Sequence, residues 1–106
     1  MNYKFFVYCP DEEQVINKII KEASKHGAGI YGDYSHVAHI THGEGNWKSE
    51  EGARPFQGKV GEITKTPVAK IEITCSIESA KEIAKAIKKI HPWEQVDIEF
   101  IRIEEL

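Results

Sequence analysis

The chain has 106 residues, 41% of them hydrophobic, enough for one core and too few for two. Acidic residues outnumber basic ones 17 to 14, and a net charge of -3 gives no long-range attraction for a phosphate backbone, which argues against nucleic acid as a partner. The opening MNYKFFVYCPDEE meets a proline and acids far short of a signal h-region or the roughly 20 apolar residues of a spanning helix, so a cytoplasmic location with no membrane partner is expected.

From residue 3 to 9, Tyr3, Phe5, Val7 and Cys9 alternate with Lys4, Phe6 and Tyr8, the period-two pattern of a strand that Pro10 stops. Asp11 and Gln14 have capping-box spacing. Val15, Ile16, Ile19, Ile20 and Ala23 then form a helical stripe that runs to about His26, with Gly27 as its C-cap. Ser35 to Thr41 read as a second strand. Residues 43 to 67 form a glycine-rich insertion in which Trp47 and Val60 to Ile63 suggest an added hairpin.

The second half repeats this grammar. Ala69, Ile71, Ile73 and Cys75 alternate with Lys70, Glu72 and Thr74; Ser76 is placed to cap a helix whose stripe is Ala80, Ile83, Ala84, Ile87 and Ile90, with lysines on the wet side. Pro92 ends that helix after His91, and Val96, Ile98 and Phe100 mark the last strand. The order β-α-β, insertion, β-α-β predicts an α+β, ferredoxin-like split-βαβ sandwich spanning residues 1–106 as one domain, both helices on one sheet face.

In that topology the strands at 3 to 9 and 68 to 75 lie side by side and antiparallel. Cys9 and Cys75 then sit at opposite ends of a strand roughly 20 Å long, too far apart for a bridge that needs Cα atoms within about 7 Å, and both read as reduced thiols. One pole collects Cys9, His42, Trp47, the insertion and the run His91-Pro92-Trp93-Glu94. Thiol, imidazole, carboxylate and aromatic groups gathered at one end make Cys9, His42, Trp47, His91, Trp93 and Glu94 the candidate ligand-binding residues. The blander alternative is that Cys9 is inert core and His91 merely complements its helix dipole. On the other sheet face, Phe6 and Tyr8 lie among charges, a surface that the insertion could cover but that better suits covering by another subunit.

His36, His39 and His42 recur every third residue, yet on a strand His39 points away from the other two, so the trio cannot close on one ion within a single chain. Lys48, Arg54, Lys59 and Lys65 on the insertion could hold an anion, though such charges usually form a solvated loop. There is no CxxC, HExxH, P-loop or GxSxG, and the residues identify no cofactor and no metal.

The glycine framework is more specific. It reads Gly27-x-Gly29-x-x-Gly32-x-Tyr34, then Gly43-x-Gly45-x-Trp47, then Gly52-x-x-Pro55-x-x-Gly58-x-x-Gly61, followed by Lys89-Ile90-His91-Pro92-Trp93-Glu94. Together these closely resemble the insert domain of the Nif-three-like family, known for a dinuclear metal centre, in a stand-alone form. The resemblance implies a fold similar to CutA and the PII signalling proteins, which form trimers and bind metals or small effectors at clefts between subunits. In the full-length family the metal ligands lie in flanking regions outside this stretch, so neither the metal chemistry nor a hydrolase activity is implied here. The chain departs from the pattern at Gln95 and Val96, where an acid and a proline are usual, and His36, His39 and His42 are not part of it.

The expected function is a non-enzymatic CutA/PII-like homo-oligomer, a trimer by the resemblance, that binds a small ligand, metal ion or partner protein through the insertion pole. One alternative is a small enzyme using Cys9 as nucleophile, His91 as base and Glu94 as orienter. The other is a structural partner of a larger Nif-three-like protein.

Overall fold

The computed structural model describes residues 2–106. Its elements are β1 (Asn2–Pro10), α1 (Glu13–Lys25), β2 (His39–Lys48), β3 (Ile63–Ser76), α2 (Ala80–Ile90) and β4 (Ile98–Ile103). The strands form one antiparallel sheet in the order β2-β3-β1-β4, the split-βαβ arrangement that the repeated pattern predicts. Register places Phe5 opposite Ile73, Val7 opposite Ile71 and Cys9 opposite Ala69, so the apolar sets of β1 and β3 share one face. That face is covered by Ile16, Ile19 and Ala23 of α1 and Ala80, Ile83 and Ile87 of α2 in one continuous core. Each fully buried isoleucine in it contributes about 1.5–3 kcal/mol relative to exposure.

Three local expectations are corrected. Asp11 and Gln14 do not form a capping box: the N-cap residue is Glu12, no side chain caps the helix, and the Asp11 carboxylate instead accepts from His42 Nδ1 at 2.8 Å. Ser76 is not the cap of α2. An extra turn, Ile77–Glu78–Ser79, intervenes, and Ser76 Oγ orders it by accepting from Ser79 N–H at 3.3 Å. The strand expected at Ser35 to Thr41 begins only at His39, because His36 has a φ of 59°, outside any strand geometry.

The glycine-rich segment contains no separate hairpin. Instead β2 and β3 themselves continue through it, pairing from His39↔Glu72 out to Lys48↔Ile63, so that only residues 49–62 form a connection. Because β1 ends at Pro10↔Val68, the last turns of this pair form a two-stranded arm beyond the central strand, and the molecule is elongated, 46 × 23 × 23 Å.

Candidate functional site

The arm's end and the end of α2 fall at the same pole. The 49–62 connection closes on itself through Gly61 N–H to Ser49 O at 2.7 Å and Ala53 N–H to Glu50 O at 3.0 Å. Pro92 forces the residue before it out of helical geometry, and His91 duly has a φ of -76° and ψ of 138°. The chain then turns toward the arm, and a cavity of about 480 Å³ opens between the two segments, walled by Trp47, Pro55, Phe56, Gln57, Trp93 and Glu94. That volume lies within the roughly 300–1,000 Å³ of small-molecule sites.

Each wall has an identifiable support. A Cβ on Gly45 would overlap Val68 Cγ2 and stand 3.3 Å from Trp47 Cζ3, so only glycine lets the Trp47 indole fold back over the strand. Trp47 meets Trp93 edge-on, with ring centroids 5.8 Å apart, and Trp93 in turn lies 5.1 Å from the His91 ring. Across the cavity, Arg54 N–H donates to Glu94 Oε1 at 2.7 Å, tying the connection to the run after α2. Gln57 Nε2 donates to Thr66 Oγ1 at 3.4 Å.

His91 anchors this construction. β4 pairs with β1 only as far as Val7↔Ile98, and the next carbonyl, of Tyr8, accepts from His91 Nε2 at 2.8 Å. Its other nitrogen, Nδ1, accepts from Trp93 N–H at 3.0 Å. Since the amide can only donate and the carbonyl only accept, the ring is the neutral Nε2–H tautomer. The side chain is 8% exposed, and burial lowers its pKa from the usual imidazole value, the Tyr8 carbonyl opposing in part. Two buried polar atoms on the cavity residues, Trp93 Nε1 and Gln57 Oε1, have no hydrogen-bond partner.

Trp47, His91, Trp93 and Glu94 are thus brought together, whereas Cys9 and His42 are not on the wall. Cys9 is fully buried on the helix-covered face, and burial, followed by the charges of Asp11 and Glu12, pushes its thiol pKa up to about 12. His42 stands exposed at the sheet edge, held by Asp11. Cys9, His91 and Glu94 each have separate surroundings: the thiol faces the core, both imidazole nitrogens serve backbone groups, and the carboxylate serves Arg54 N–H. Lys48, one of four basic residues of the insertion, is paired with Glu50 at 3.4 Å. Phe56 and Gln57 are among the wall residues that sequence reasoning missed. They lie between two recognised motif positions, Pro55 and Gly58, and an aromatic inside a glycine-framed turn was the available signal.

No family model matches the chain. A GTP cyclohydrolase 1 type 2 homolog from Bacillus subtilis is 34% identical over 103 residues, covering 96% of this chain and 27% of that protein. A solved NIF3-related protein of Bacillus cereus superposes with a TM-score of 0.81 at 23% identity, over 98% of this chain and 26% of its own. The chain is a CutA/PII-like domain of the NIF3 type. This NIF3-type domain shares its fold with CutA: the divalent cation tolerance protein of Archaeoglobus fulgidus superposes with a TM-score of 0.74 at 16% identity, over 99% of this chain and 86% of its own. The chain spans about a quarter of the length of the NIF3 relatives it matches.

The glycine framework of the NIF3-type domain divides between two poles. Gly45, Gly52, Pro55, Gly58, Gly61 and Pro92 belong to the arm and cavity end. Gly27, Gly29, Gly32 and Tyr34 build the loop at the opposite end, where Gly29 N–H donates to Thr74 O at 2.8 Å and Tyr31 and Tyr34 exchange backbone bonds of 2.9 Å. At Gly29, whose φ is 72°, a Cβ would meet Val37 O at 2.8 Å. The residues do not fit a dinuclear metal centre. His39 and His42 point to opposite faces of β2, His36 lies outside the strand, and no group of three or more metal-ligating side chains converges among the described residues.

Proposed function

We propose that this NIF3-type domain is a non-catalytic, homo-oligomeric module that holds a small organic molecule in the cavity beside Trp47 and Trp93. The observation that carries this is the aromatic cavity itself, assembled from segments 40 residues apart and tied by Arg54 N–H to Glu94. Preorganised apolar walls with few polar groups suit a flat organic ligand better than a bare ion. Assembly is supported by the arm. A two-stranded hairpin is marginal alone, and Phe56, Val60 and Ile63 at its end are 54%, 48% and 66% exposed, a surface for packing between copies in a trimer. Both cysteines are buried and unpaired, which fits a reducing compartment such as the cytoplasm. Native mass spectrometry of the protein as purified from cells tests both parts. A trimer retaining added mass is the expected result; a ligand-free monomer would remove the proposal.

A second role, as a docking partner of a larger NIF3-family protein, is favoured by the opposite pole. Asn2 pairs with Ser76 and with Ile103, and Gly29 N–H donates to Thr74 O, so the start of β1 and the end of β4 lie at the pole whose loop exposes Ile30 and Tyr34. Co-purification with a NIF3 relative whose matching stretch is deleted, lost on Tyr34→Asp, would support that role; no association with the parent chain would end it.

A further inference from the structure

We infer that the flat ligand of the cavity carries a positive charge, and that the site selects a heteroaromatic cation of the alkylated pyridinium kind over a neutral or anionic ring of the same shape. This assignment rests on the cavity being the ligand site proposed above, and it follows from which charges on the wall are already answered. Glu50 and Glu94 bring two carboxylates to the cavity and Lys48 brings one ammonium. Lys48 is paired with Glu50 at 3.4 Å, so those two charges offset one another. Glu94 accepts from the neutral Arg54 N–H through Oε1 and takes part in none of the ion pairs among the described residues, so its carboxylate has no cationic partner on the wall.

The aromatic walls point the same way. Trp47, Phe56 and Trp93 line the cavity, and an aromatic ring is negative over its faces and positive round its edge. Trp47 and Trp93 meet edge-on with 61° between their planes, so their contact does not stack one indole face on the other and hide both from an occupant. Indole faces are the best side-chain partners for an organic cation. Both tryptophans are half-buried while Phe56 and Glu94 are exposed, so the wall is open to solvent in the structure as it stands. A metal ion or a primary ammonium would lose hydration that one carboxylate cannot replace, whereas a charge spread over a ring is weakly hydrated, as it is in guanidinium. An anion would meet the unanswered Glu94 and the negative ring faces, both repulsive.

The test is titration of the full ¹⁵N-labelled chain with meta-(hydroxymethyl)-N-methylpyridinium, its neutral isostere meta-methylbenzyl alcohol and the anion meta-methylbenzoate. The readout is the indole N–H resonances of Trp47 and Trp93, the latter assigned with Trp93→Phe. The pyridinium should saturate these shifts at roughly tenfold lower concentration than the alcohol, about threefold from the indole faces and about threefold from the carboxylate, and the benzoate should bind weakest. Glu94→Gln, whose amide oxygen still accepts from Arg54 N–H, removes the charge without untying the wall and should cut the advantage of the pyridinium to about threefold. Equal potency of the pyridinium and the alcohol, or tighter binding of the benzoate, would overturn the cationic assignment while leaving the cavity as a ligand site. An advantage unchanged in Glu94→Gln would overturn the role given to Glu94. No response of either indole to any probe would overturn the cavity itself.

Discussion

Gly43 and Gly45 offer a controlled test of how the aromatic wall is built. Both lie on β2 two residues apart, hence on the same sheet face, and neither has a positive φ, so alanine costs no backbone strain at either. They differ in space. A Cβ on Gly43 finds only Val68 O at 3.8 Å, an ordinary contact, whereas one on Gly45 overlaps Val68 Cγ2 and crowds Val68 Cβ at 3.2 Å and Trp47 Cζ3 at 3.3 Å. Val68 is buried and cannot swing away, so the strain falls on Trp47. Gly43→Ala should be neutral or stabilising by about 0.5–1 kcal/mol, the usual gain of alanine over glycine in a strand. Gly45→Ala adds an overpacking cost of about 1–3 kcal/mol, so it should melt below Gly43→Ala by roughly 4–8 °C for each kcal/mol of that cost. Circular dichroism gives the midpoints, and tryptophan emission reports the displacement of Trp47 from Trp93. Equal midpoints with unchanged emission would refute the claim that Gly45 exists to seat Trp47.

His91→Ala leaves the Tyr8 carbonyl and the Trp93 N–H without partners and should cost about 2–6 kcal/mol in urea unfolding, at roughly 1–3 per buried group. Because the folded-state pKa of His91 is lowered, the unfolded chain binds the extra proton first. Its stabilising contribution is therefore complete above the ordinary value of 6.5 and is lost as pH falls through and below it, so wild type should lose more stability than His91→Gln between neutral pH and mildly acidic pH. Cys9 and Cys75, with thiols raised to about 12 and about 11 by burial, should resist iodoacetamide at pH 8 until the protein is unfolded; rapid native modification of Cys9 would revive a nucleophile there. Glu94→Ala should speed amide exchange at Arg54 by roughly tenfold with little change in the melting midpoint, since the bond it removes is local.

The fold was legible because period-two alternation is strong on β1 and β3 and the stripes of α1 and α2 are clean, leaving one economical way to bury all four apolar faces. The arm was not, because Gly43 and Gly45 lower strand propensity and only the partner strand, with Thr64 and Thr66 opposite Trp47 and Gly45, restores it. Asp11 had a helix cap's spacing, but tertiary geometry gave its carboxylate to His42 across the sheet edge. At the site, the convergence of Trp47 with Trp93 followed from topology, which put the end of α2 beside the arm. The division of the glycine framework between two poles was invisible because β2 carries the chain from the end that holds Tyr34 to the end that holds Gly45.

A crystallographic fragment screen tests most directly whether the aromatic cavity is a ligand site. Small aromatic fragments should recur between Trp47, Phe56 and Trp93. Fragments bound only elsewhere, above all only beside Ile30 and Tyr34 at the opposite pole, would contradict that account and give the docking role precedence.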